Sequence, residues 1–110
     1  MSFSITKRGD TVVVDVEGQL VVGNRQELKQ AVLEEVERGE RKFVVDFSRT
    51  GYIDSAGLGI LVSVSKKVRE SGGELRLANL NEDLRTLFEL TKLDTLFNIA
   101  DSRDEALQSL

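Results

Sequence analysis

Lys42-Phe43-Val44-Val45-Asp46-Phe47 is nearly continuous in apolar character, and a few residues later comes Tyr52-Ile53-Asp54-Ser55-Ala56-Gly57-Leu58-Gly59. The first piece suits a central β-strand covered on both faces. The second opens a helical pattern from about Ser55 to Ser71, in which Leu58, Leu61, Val62 and Val68 face the sheet and Gly72-Gly73 end the run. Ser48 to Asp54 reads as the connecting loop. A strand that leads into a helix is the building unit of an α/β sheet, and the rest of the chain extends it in both directions.

Upstream, Phe3 and Ile5 suggest a short first strand, and Gly9-Asp10 marks a hairpin turn. Val12, Val14 and Val16 alternate with Val13, Asp15 and Glu17 as in a half-buried strand. Leu20-Val21-Val22 reads as a further short extended piece before Gly23. Asn24 with Glu27 resembles a capping box, and Leu28, Ala31, Val32 and Val36 form the apolar stripe of a first helix that stops at Gly39. Downstream, Glu74-Leu75-Arg76-Leu77-Ala78 is a strand with two inward leucines. A third helix starts at Asn81 with Glu82 and Asp83 in its first turn and Leu84, Leu87 and Phe88 on its buried face. Leu96-Phe97-Asn98-Ile99 reads as a last strand, and Ser102 with Glu105 as a capping box before a C-terminal helix.

The order ββ(β)αβαβαβα predicts an α/β fold: one mixed β-sheet with an N-terminal β-hairpin, later strands parallel through right-handed crossovers, packed against about four α-helices. No Pro and no Gly/Ser-rich linker interrupts the 110 residues, so residues 1–110 are expected to form a single domain.

Composition narrows the chemistry. The chain has no Cys and no His, so disulfides, thiolate nucleophiles, imidazole bases and the usual zinc sites are excluded, and the expectation is a binding module without cofactor or metal rather than an enzyme. A net charge of −4 argues against direct nucleic-acid binding, and the short run Lys66, Lys67, Arg69 reads as a solvated helix face. The polar start Met1 to Arg8 is unlike a signal peptide, and no apolar run reaches membrane-spanning length; a cytoplasmic protein without membrane insertion is expected.

The junction between central strand and helix, Asp54 to Gly59, is where sites collect in open parallel sheets, because unpaired helix amides carry partial positive charge there. A nucleophile elbow fails, since Ile53 stands where Gly is needed and no His exists; a phosphate-binding loop fails for want of Gly-Lys-Ser/Thr. Ser55 reads either as the helix cap or as a presented hydroxyl, and Asp54 either as a capping carboxylate or as a group that presents Ser55. Gly57 and Gly59 are poor helix formers, costing about 1 kcal/mol each against Ala, which points to a reason other than helix stability. Tyr52 reads as packing, with a partner anchor as the reading for an exposed ring, and Leu58 as the core residue of its helix closest to exposure.

At these residues the sequence resembles the bacterial anti-sigma-factor antagonists, small members of the STAS domain family. The likeness is carried by Phe43 to Phe47, by Tyr52 to Gly59, by Gly72-Gly73 and by Leu93-Asp94-Thr95-Leu96-Phe97, and so spans nearly the whole chain. The resemblance implies that Ser55 is a phosphorylation site. Its kinase would be the anti-sigma factor itself, a serine protein kinase using its own ATP, and a metal-dependent serine phosphatase would reverse the reaction. The dephosphorylated form would bind the anti-sigma factor and release the sigma factor through Asp54, Ala56, Gly57, Leu58 and Gly59 together with Gln19 and Val21. Relatives often carry Gly-Glu-Leu-Asp where this chain has Gly18-Gln19-Leu20-Val21, so both acidic positions are neutral here. The alternative implied by the same family is an interaction module of a signalling scaffold or transport complex, unregulated by phosphorylation.

Overall fold

The computed structural model describes residues 2–21 and 25–110. Its elements run β1 (Ser2–Arg8), β2 (Thr11–Leu20), α1 (Arg25–Glu37), β3 (Lys42–Ile53), α2 (Ser55–Glu70), β4 (Glu74–Ala78), α3 (Glu82–Leu90), a 3₁₀ turn (Leu93–Thr95), β5 (Asn98–Ala100) and α4 (Arg103–Gln108). The five strands lie in the order β1-β2-β3-β4-β5; β1 is antiparallel to β2 and every later pair is parallel. The mixed sheet with its hairpin and four helices is the architecture expected from the sequence.

Alternation along each strand sorts the side chains into two layers. Val12, Val14, Val16, Phe43, Val45, Phe47, Leu75 and Leu77 form one core with Leu28 and Val32 of α1, Leu58, Leu61, Val64 and Val68 of α2, and Leu84 and Phe88 of α3. On the opposite face Val13, Val44 and Ala78 pack with Ala106 of α4, and half-buried Leu107, Leu110 and Ala100 of β5 border them. Each fully buried Val, Leu or Phe contributes about 1.5–3 kcal/mol, so the first layer dominates stability.

The thin second layer is reinforced by charge. Asp46 is 2% exposed and accepts from the Ser48 amide at 2.8 Å, from the Asn79 side-chain amide at 3.1 Å and from Arg103 Nε at 2.8 Å. Arg103 also pairs with Asp15, the register neighbour of Asp46 on β2. Burial pushes the Asp46 carboxyl up, but the Ser48 amide, Arg103 and Asn79 more than reverse that and hold it below its ordinary value.

Three boundaries differ from the sequence reading. Ser48 to Ile53 is not a loop: β3 continues through it, paired to β2 alone, with Thr50 and Ile53 buried and their neighbours exposed. Leu20 ends β2 rather than opening a separate strand, while Val22, Gly23 and the Asn24 cap fall outside the described residues. The last strand begins at Asn98, because Leu93–Thr95 close a 3₁₀ turn and leave Leu96 half in water. Within α2, Ile60 and Val64 are also buried, while Val62 packs at the margin. Among the described residues, no helix is long and apolar enough to cross a membrane.

Candidate functional site

The carboxyl end of the β2–β3 ladder sets the position of α2. Leu20 stands opposite Ile53, and the Leu20 carbonyl accepts the Asp54 amide at 3.2 Å, so the chain is pinned one residue before the helix. Asp54 is extended, and its Oδ1 accepts the Gly57 amide at 2.8 Å, which makes Asp54 the N-cap. The capping alternative for Ser55 is thereby corrected: a carboxylate one residue earlier does that work, and Ser55 is the first helical residue, exposed to solvent.

Gly57 is buried for a different reason. A Cβ there would lie 2.3 Å from the Leu20 carbonyl oxygen and 2.9 Å from Ile53 Cγ2, so the helix can approach the strand end this closely only with glycine. Gly59 faces outward, and a Cβ on it would meet nothing within 4 Å. Leu58 is 7% exposed, so its expected partial exposure is also corrected: the same close approach draws it into the core.

The site is therefore smaller than the motif. Ser55, half-buried Ala56 and Gly59 present themselves on the helix; Gly57 and Leu58 act from beneath by fixing its seat. Exposed Gln19 and partly exposed Val21 flank the Leu20 carbonyl, so the structure brings both to this end of the sheet. Tyr52, the register partner of Gln19, is 56% exposed and is not packing. Its outward position follows from irregular pairing in β3, for which the sequence carries no simple periodic signal. No intrahelical carbonyl reaches the amides of Ser55 and Ala56, which leaves two backbone donors beside the serine.

A dianion added to Ser55 would meet those amides without entering the core, whereas a protein packed over the same face would have to desolvate it. The arrangement can thus act as a charge-gated docking surface.

Comparison with known proteins shows the family and the fold. The STAS domain profile matches residues 2–106. A Bordetella bronchiseptica protein named BtrV, provisionally called an anti-sigma factor antagonist, is 32% identical over 96% of this chain and 91% of its own length. The anti-sigma-B factor antagonist of Bacillus subtilis is 27% identical over 98% of both chains. The crystal structure of an anti-sigma factor antagonist from Mycobacterium paratuberculosis, 25% identical, superposes with a TM-score of 0.88 over 98% of this chain and 92% of that one.

Proposed function

Because the chain belongs to the STAS domain family, we propose that it is an anti-sigma-factor antagonist, a cytoplasmic binding module whose grip on its partner is switched by phosphorylation of Ser55. The observation that carries this reading is the division of labour at the start of α2. Asp54 caps the helix, so the Ser55 hydroxyl has no structural duty and stands in solvent at the positive end of the dipole.

The switch works through local charge. The partner, an anti-sigma factor with serine kinase activity, transfers the γ-phosphoryl of ATP to Ser55 Oγ; a metal-dependent phosphatase returns the hydroxyl by hydrolysis. Phosphorylation adds a charge of about −1.5 to −2, which the helix amides tolerate and which a closely packed partner does not. A binding penalty of about 4 kcal/mol weakens association a thousandfold, enough to hand the anti-sigma factor back to its sigma factor. Asp54, Ala56, Gly57, Leu58, Gly59, Gln19 and Val21 form or support the docking face in this reading. The antagonist itself needs neither cofactor nor contact with DNA.

Capture from the native host followed by mass spectrometry tests it. Recovery of a kinase-type anti-sigma factor together with a single phosphoryl group at Ser55 supports the proposal. Recovery of scaffold or transporter components with unmodified Ser55 supports the rival reading, which the neutral Gln19 and Val21 favour.

A further inference from the structure

β3 outruns β4. Pairing between them covers Lys42 to Asp46, so the stretch from Ser48 to Ile53 extends beside β2 alone. Two register shifts lie in that extension: Asp15 to Glu17 is opposed by Asp46 to Arg49, and Gly18 to Gln19 by Thr50 to Tyr52. Each places an extra residue in β3, and such bulges bend a strand and re-aim its side chains.

The bent segment is fastened. The Thr50 hydroxyl donates to the Val16 carbonyl at 2.6 Å, the Ser48 amide donates to Asp46 at 2.8 Å, and the Asn81 side-chain amide donates to the Thr50 carbonyl at 3.3 Å. Leu20 and Ile53, a register pair beside Gln19 and Tyr52, are buried and anchor the ladder to the core. What this scaffold holds out is the Tyr52 ring. Phe43, Phe47, Phe88 and Phe97 are buried and Phe3 is half-buried, whereas Tyr52 is 56% exposed, opposite Gln19 and three positions before Ser55.

We propose that Tyr52 is the anchor by which the unphosphorylated protein holds the anti-sigma factor, received in a pocket with apolar walls and a polar group for the phenol. The inference rests on the reading of Ser55 as the switch and adds what the switch acts upon. A tyrosine supplies large contact area for little lost side-chain freedom, and a pre-set backbone removes the cost of ordering it. An anchor seated in a dry pocket also makes the partner exclude water from its neighbourhood, which is where a phosphate on Ser55 does most harm. Leu90 and Leu96 are exposed too, but they lie where α3 has run back to the far end of the sheet, and they serve as the control.

The test is the dissociation constant of the purified full-length protein with its purified cognate anti-sigma factor, for wild type, Tyr52→Ala, Tyr52→Phe, Leu90→Ala and Ser55→Asp, each with its unfolding midpoint. Tyr52→Ala is expected to weaken binding about 30-fold or more, Tyr52→Phe to lie between it and wild type, and Leu90→Ala to bind as wild type. Unfolding midpoints of both Tyr52 variants should match wild type, since the ring is not part of the core. Tyr52→Ala binding as tightly as wild type, while Ser55→Asp fails to bind, overturns the anchor and leaves the switch standing. Ser55→Asp binding like wild type while Tyr52→Ala is weak removes the switch and keeps the anchor. A wild type that binds no anti-sigma factor overturns both.

Discussion

Gly57→Ala and Gly59→Ala, two residues apart in the same helical turn, are expected to change stability in opposite directions. At Gly57 the new methyl would sit 2.3 Å from the Leu20 carbonyl oxygen, which is backbone and already holds the Asp54 amide. Overpacking of this kind costs about 1–3 kcal/mol, and the upper end applies because no side-chain rotation relieves the contact. The intrinsic gain from replacing Gly by Ala in a helix is about 1 kcal/mol, leaving a net loss of about 2 kcal/mol. At Gly59 nothing lies within 4 Å of the added methyl, so only the gain of about 1 kcal/mol remains. For a domain of this size each kcal/mol moves the thermal midpoint by about 4 °C. Thermal unfolding followed by circular dichroism should therefore place Gly57→Ala about 8 °C below wild type and Gly59→Ala about 4 °C above it. Equal shifts, or a Gly57→Ala protein as stable as wild type, would show that the helix does not seat against Leu20 as described.

Gly59→Ala should at the same time bind the anti-sigma factor less tightly, a loss of affinity with a gain in midpoint that titration and melting together would detect. Asp54→Ala removes the cap from α2 and is expected to cost about 1 kcal/mol in urea unfolding, whereas Asp54→Asn, which keeps an acceptor, should lose little. Arg103→Leu leaves Asp46 buried beside Asp15 without its cation and should cost about 3 kcal/mol, the loss appearing first as faster amide exchange in α4. Asp46 has a folded-state pKa below its unfolded value, so its contribution is fully present above about pH 4 and is lost as pH falls through the lowered pKa. An acid titration of stability should thus fall less steeply for Asp46→Asn than for wild type.

Most of the sheet was legible because its strands obey simple patterns. The unbroken apolar run from Phe43 to Phe47 announced a central strand, and Asn81 and Ser102 announced the caps confirmed at 2.8 Å and 3.1 Å from the Leu84 and Glu105 amides. What escaped was structure that depends on distant partners. Ser48-Arg49-Thr50-Gly51 looks like a loop because only Thr50 turns inward, and its strand character comes from β2, reached across more than thirty residues. The motif from Asp54 to Gly59 was visible as a helix entrance, yet the division between cap, packing residue and exposed hydroxyl was not. Choosing Asp54 over Ser55 as the cap, and Gly57 over Gly59 as the close approach, requires knowing where the Leu20 carbonyl lies. Asp46 and Arg103 lie fifty-seven positions apart, so nothing local couples them.

In the proposed switch, Ser55 carries a phosphate which the fold accepts and the partner rejects. Its most direct test is the affinity of one anti-sigma factor for the protein before and after stoichiometric phosphorylation of Ser55, with folding monitored on the same samples. A loss of about a thousandfold in affinity at an unchanged unfolding midpoint is the predicted result. Equal affinity of the two forms, or a phosphorylated protein that no longer folds, contradicts it.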